Sequence, residues 1–308
     1  MRKEKDTFQR WIRSPAGREA IAFYVFASPW IVGLLAFTLG PMIASTFLSM
    51  TNWDIVTRAH WVGLSNFARA LTDDPLFWQS LKVTAIYSFG GIPLRLSLAL
   101  FLAILLNQPI KFRAFFRTLF YTPSVMSGVA VSILWIWVFN PNFGVINFVL
   151  SKVGIQGPGW IYDEQWALPA LILMSLWGVG GAMIILLAGL QGIPRVLYEA
   201  AEIDGADLMD GFRHITFPML SPVIFFNLIM GVIGSFQVFT QGYVMTEGGP
   251  HYATHFYVLN LYYNAFRYFR MGYASALAWL LFIIIMLLTF LVFKSSPLWV
   301  YYEGELKK

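Results

Sequence analysis

Six stretches of this chain are apolar and long enough to cross a bilayer, at about 21–46, 83–106, 115–139, 166–190, 219–245 and 272–293. A helix needs about 20 apolar residues to span roughly 30 Å of hydrocarbon. No soluble core absorbs six such stretches in 308 residues. Only 12% of the residues are charged, about half the share of an ordinary soluble domain. The expected fold is therefore an all-α polytopic membrane protein with six transmembrane helices. Pro93, Pro123 and the cluster Gly178, Gly180 and Gly181 lie inside these stretches. Membrane helices tolerate such residues where neighbours re-satisfy the backbone, and small residues let helices pack closely.

The basic N-terminus leads into the run Ile21–Thr46. That run is too long for a signal peptide and reads as an uncleaved first span. Orientation follows from Lys and Arg. With the N-terminus inside, fourteen fall on the cytoplasmic side: six from Arg2 to Arg18, then Lys111, Arg113, Arg117, Arg195, Arg213, Lys294, Lys307 and Lys308. Six fall outside (Arg58, Arg69, Lys82, Lys152, Arg267 and Arg270), and Arg95 lies within the second span. Both termini are expected in the cytoplasm. The divisions are a tail at 1–20, a membrane domain at 21–294 and a tail at 295–308. This placement explains the net charge of +5 without nucleic acid. The external loops, 47–82, 140–165 and 246–271, hold Trp53, Trp61, Trp78 and Trp160, with Trp166 just beyond the second. These read as interfacial anchors or as a docking surface for an external partner.

Between the fourth and fifth stretches lies PRVLYEAAEIDGADLMDGFRHITFPMLSP, residues 194–222. It carries Glu199, Glu202, Asp204, Asp207 and Asp210, yet its pattern is that of folded protein. Pro194 suits a helix start, 195–203 reads as a short helix, and Asp204-Gly205 is a turn signal. A second short helix is expected over Ala206–His214. Alone, the pattern fits either a surface amphipathic helix or a bracket that docks something.

The residues also carry a resemblance. Glu199, Ala200 and Ala201, then Gly205, Ile215 and Pro218, follow the spacing of the EAA signature of ABC importer permeases, with Phe217 where that family has Leu. WVGLSNFARAL, DPLFW, RTLFYTPSVMSGVAVSILWIWVFNPNFGVIN, TEGGP and MGYASALAWLL are similar to segments of its carbohydrate-uptake subgroup. The resemblance implies a type I importer-like fold whose 194–218 segment is a cytoplasmic coupling bracket. Glu199, Ala200, Ala201, Asp204 and Gly205 would meet an ATPase subunit. It implies a second homologous permease, two ATP-binding subunits using ATP and magnesium, and an extracytoplasmic solute-binding protein. The setting is a bacterial or archaeal cytoplasmic (inner) membrane. The solute would be a sugar, an oligosaccharide or a glycerol-phosphate-like compound. Carried over by position, its path would involve Ser124, Ser127, Gly128, Trp177, Ser235, Phe236, Gln237 and Phe239.

No chemistry of the chain's own is expected. There is no G-x-x-x-x-G-K-[ST] loop and no Gly-Lys dipeptide, so ATP hydrolysis belongs to another subunit. No cysteine is present, and no G-x-S-x-G. His251 and His255 are four apart in a loop, a weak metal pattern better read as ordinary polar residues. Arg95 is open between two readings: a snorkelling or interhelically bonded side chain, or a path residue able to meet an anionic solute. The alternative class is a self-contained secondary carrier, but inverted repeats and midplane ionisable residues are not evident apart from Arg95.

Overall fold

The computed structural model describes residues 14–301, so the expectations for 1–13 and 302–308 lie outside the described residues. The fold is almost entirely helical. The first span, α1 (Pro15–Ser49), starts earlier than expected, so residues 15–20 are helix rather than tail. The hydroxyl of Ser14 accepts from Gly17 N–H at 3.1 Å, and Pro15 fills the first helical position. A short ladder follows, Thr51–Asn52 (β1) antiparallel to His60–Trp61 (β2), and then α2 (Ser65–Thr72).

The second span, α3 (Pro75–Asn107), is the axis of the molecule. Asp74 caps it, accepting from Leu76 N–H at 2.9 Å on one oxygen and from the Tyr273 hydroxyl at 2.6 Å on the other. The third and fourth spans are each broken. Helices α4 (Arg113–Val125) and α5 (Gly128–Val138) meet at 101°, and α7 (Glu164–Leu176) and α8 (Gly180–Gln191) at 44°. A short α6 (Val145–Lys152) lies between the pairs. The bracket helix α9 (Arg195–Ile203) precedes α10 (Leu208–Phe236). The chain closes with α11 (Tyr257–Tyr262) and α12 (Met271–Ser295). Four continuous helices and two bent pairs make up the six spans.

Two expectations are corrected here. The fifth span ends at Phe236 rather than at 245, because the chain leaves the helix at Gln237. The second bracket helix is not a separate element. It is the first turns of α10, joined to the rest through a π-helical stretch at Phe212–Thr216.

Buried side chains form three clusters around α3. Toward the start of α3, Tyr87 packs with Phe139, Trp160, Met174 and Phe256. Toward its end, Ala99, Ala103 and Leu106 pack with Met183, Leu186 and Leu220. On a third side, Phe77 and Ile92 meet Phe236, Tyr257 and Leu277. Away from water every backbone group needs a partner within the protein. Thr84 Oγ1 therefore accepts from Tyr257 N–H, otherwise unpaired at the start of α11, and the Tyr257 hydroxyl donates to Leu277 O, both at 2.9 Å. By contrast α1 is nearly bare, with Phe26 85% and Phe37 84% exposed. Such surface suits lipid or a partner helix.

Candidate functional site: a surface bracket and three converging breaks

The bracket is built from local signals. Helix α9 ends in a Schellman turn: Gly205 N–H donates to Glu202 O at 3.1 Å and Ala206 N–H to Ala201 O at 2.9 Å. That motif needs a left-handed residue just after the cap, and Gly205 supplies it at φ +81°. Two residues later Asp207 opens α10 with a capping box, accepting from the Met209 and Asp210 amides at 2.8 Å while Asp210 Oδ2 accepts from Asp207 N–H. The Tyr198 hydroxyl bonds the Thr216 hydroxyl at 2.9 Å and ties α9 to α10. A cavity of about 1000 Å³ lies against the bracket, with Asn107, Arg113, Gln191, Tyr198 and Asp207 among its walls.

The surface of the bracket is its most informative part. Ile203 is 87% and Leu208 95% exposed at the tip. Glu199, Glu202, Asp204, Asp207 and Asp210 are all exposed around them. Among the described residues none of these carboxylates pairs with Lys or Arg; only His214 approaches Asp210, at 4.0 Å. Glu199, Ala200, Asp204 and Gly205 lie on this face, with Ala201 partly covered, whereas Ile215 and Pro218 are half-buried on α10. Ile215 packs against the cluster that includes Leu220, so its place in the signature is structural. The sequence pattern pointed to small residues and overlooked Ile203, Leu208 and Met209. Their signal was available as large apolar side chains flanking a DG turn in an acidic segment.

The second region lies in the membrane. The broken third span touches both the start of α8, just after the Trp177–Val179 bend, and the segment that follows α10. A Cβ at Gly180 would strike Phe120 O and stand 2.7 Å from Tyr121 Cα, so α8 starts against the α4 backbone. A Cβ at Gly128 would lie 3.6 Å from Thr240 Cγ2. Irregular backbone at membrane depth occurs where it is covered by protein or lines a cavity, and broken helices mark transport sites. Ser124, Ser127, Gly128 and Gln237 are exposed here, and Trp177 is 36% exposed. Trp177 meets Trp135 edge-on at 6.0 Å. Phe239, half-buried, stacks on Tyr243 at 5.3 Å and 14° and abuts Tyr262 at 5.0 Å. Trp135, Tyr243 and Tyr262 had no marker in a sequence rich in aromatics.

Two expected path residues lie elsewhere. Ser235 and Phe236 are each 2% exposed. Ser235 donates to Val232 O at 3.2 Å, and Phe236 packs with Ile92, Tyr257 and Leu277. They face the interior because α10 presents that side to α3 and α12. Arg95 does not snorkel. Its side chain turns back along α3, with Nε 3.4 Å from Gly91 O and the guanidinium carbon 5.9 Å from the Tyr87 ring centre. Trp160 is not an interfacial anchor; it is buried, and its Nε1 donates to Asn147 Oδ1 at 2.6 Å. His255 is no ordinary loop residue either. It is 3% exposed, and burial pushes its imidazole below the usual range. No group of three His, Cys, Asp or Glu able to hold a metal occurs among the described residues.

Six spans, two of them broken, and a structured polar bracket define a multi-pass membrane permease. The comparisons narrow the class. Residues 95–296 match the model of the family described as binding-protein-dependent transport system inner membrane component, and the chain belongs to that family. It is similar to the "Probable ABC transporter permease protein YesP" of Bacillus subtilis, with 49% identity over 292 residues covering 94% of each chain. It is also similar to the lactose transport system permease protein LacF of Rhizobium radiobacter, with 37% identity over 89% of this chain and 93% of that one. The fold matches a chain of the crystal structure of a bacterial alginate ABC transporter bound to its periplasmic protein, with TM-score 0.80 and 21% identity over 91% of this chain and 95% of that one. The protein is an ABC importer permease subunit.

Proposed function

We propose that this chain forms one half of the membrane path of an importer for a sugar or oligosaccharide, and that its bracket is the joint through which ATP hydrolysis drives it. The observation that carries this is the bracket tip, where Ile203 and Leu208 stand in water on a turn held by two caps. Exposed apolar residues on a rigid element mark an interaction site. Five carboxylates around them, none paired with Lys or Arg among the described residues, fit a cleft that is apolar at its floor and basic at its rim.

The occupants follow from the family. Two ATP-binding subunits, using ATP and magnesium, take the bracket of this chain and that of a second permease. The bare face of α1 and the exposed breaks suit that second permease and lipid. Both termini and the bracket lie in the cytoplasm, in accord with the distribution of Lys and Arg. A solute-binding protein approaches from outside. The matching external feature is a pocket of about 120 Å³ lined by Arg69, Asp74, Asn260, Asn264 and Arg270.

Named relatives transport lactose, trehalose or maltose, and arabinooligosaccharides, which supports a saccharide here. Sugar rings have an apolar face and a polar rim. The Trp135–Trp177 pair and the Phe239–Tyr243–Tyr262 group beside Gln237 offer both kinds of contact.

The test is ATP hydrolysis by the purified complex, with and without its binding protein loaded from a panel of oligosaccharides. Stimulation by one loaded form is the expected result. Uptake that survives without any ATPase subunit would overturn the proposal.

A further inference from the structure

Arg95 sits deep in α3, twelve residues short of Asn107, or about 18 Å at 1.5 Å per residue. Its side chain points away from that nearer end, toward Gly91 and Tyr87. One guanidinium nitrogen, Nη2, is fully covered and has no hydrogen-bond acceptor. No carboxylate is within ion-pair distance among the described residues. The surrounding spans bring none close: α3, α4, α5, α8 and α12 contain no Asp or Glu, and α7 and α10 carry theirs only in the first turn, at Glu164 and Asp210. Arg95 as a whole is half-buried, but a covered guanidinium N–H without an acceptor is costly, and an ionisable group within a span is a functional-site candidate by default.

Its surroundings lead to the candidate path. A Cβ at Gly91 would lie 3.8 Å from Arg95 Nε, 3.9 Å from Nη2 and 3.9 Å from Ser175 Oγ. Arg95 and Ser175 thus share one notch, and Ser175 lies in the last turn of α7, just before the Trp177 bend. Trp135, which meets Trp177 edge-on, has a second buried donor, Nε1, with no acceptor. One such donor thus shares a notch with Ser175 and the other is on the ring against Trp177, both near the bend of the fourth span.

We infer that Arg95 is the charge-reading residue of the path and that the transported saccharide carries an oxyanion, most simply the carboxylate of a uronic acid. The inference rests on the reading of this chain as a path-forming permease. A guanidinium presents a planar fork of donors that a carboxylate accepts in bidentate fashion, and the Ser175 hydroxyl and Trp135 N–H add single contacts to ring oxygens. Phosphate and sulfonate share this chemistry.

The test uses the complete complex in proteoliposomes with its own binding protein, whose affinity for each probe is measured separately so that its selectivity can be divided out. Probes are digalacturonate, its neutral methyl ester, maltose and maltose 1-phosphate. The wild type is expected to import an anionic probe, and the preferred anion separates carboxylate from phosphate. Arg95→Gln should lower uptake of the anion roughly tenfold or more, the worth of a charge-assisted contact, and lower uptake of a neutral probe much less. Arg95→Lys should keep part of the preference. Import of neutral sugars alone would overturn the inference, and so would an equal loss of anionic and neutral uptake. Equal loss is the result expected if Arg95 only offsets the negative end of the α7 dipole. Should Arg95→Gln fail to assemble, the wild-type panel and Arg95→Lys still decide. Absence of ATP-dependent uptake of any probe would count against the permease reading rather than against Arg95.

Discussion

The bracket and the converging breaks are both departures from straight helix, but they are held in different ways. The bracket is fixed within about twenty residues by a Schellman turn, a capping box and one hydroxyl pair. The breaks are fixed by contacts between segments far apart in sequence, such as Gly180 on the backbone at Phe120 and Tyr121, and Gly128 beside Thr240. A locally encoded element can be altered without disturbing the rest of the fold. One encoded by distant close packing cannot.

Substitutions can break that comparison, and the largest effect is expected at the breaks. Gly180→Val places a side chain on the α4 backbone. It should cost about 3 kcal/mol or more, lower the thermal midpoint of the purified complex and abolish import. An unchanged midpoint would mean that the breaks do not depend on this contact. Next come Ile203→Asp and Leu208→Asp at the bracket tip. Each should weaken ATPase association roughly thirtyfold, as loss of an interface anchor does, with the midpoint of the isolated permease unmoved. A tip variant that binds the ATPase normally would remove the docking role.

Smaller effects sharpen the contrast. Gly205→Ala puts a Cβ on a residue at φ +81° with open space around it, so only backbone strain of about 1–2 kcal/mol is expected. Hydrogen exchange should increase in 195–211 and nowhere in the spans. Asp207→Ala removes the capping box at about 1 kcal/mol, and faster exchange of the Met209 and Asp210 amides would report it. Should either variant loosen α3, the bracket is not the independent unit described above.

The same division explains what could be read from sequence. The six spans, α9 at 195–203 and the turn at Gly205 were legible because hydrophobic length and cap chemistry are local. The end of α10 at Phe236 was not, since residues 237–245 contain no proline to mark a stop and their close packing, Gly242 on Phe256, is with a segment further along the chain. The interior placement of Ser235 and Phe236 depends on which side of α10 meets α3, and a uniformly apolar helix has no amphipathic pattern to mark that side. The exposed tip residues Ile203 and Leu208 looked like any other apolar residues until their neighbours were known.

Because the second half of the bracket is the first turns of α10, the tip and the Gln237 exit are two ends of one rod. At 1.5 Å per residue, its 29 residues measure about 43 Å. A tilt of about 10° would carry the far end sideways by about 7 Å over such a length. The π-helical stretch at Phe212–Thr216, one extra residue in the turn, lies close to the bracket end. Under the proposed coupling, a small push at the bracket would become a displacement of several ångströms where α10 ends at Phe236.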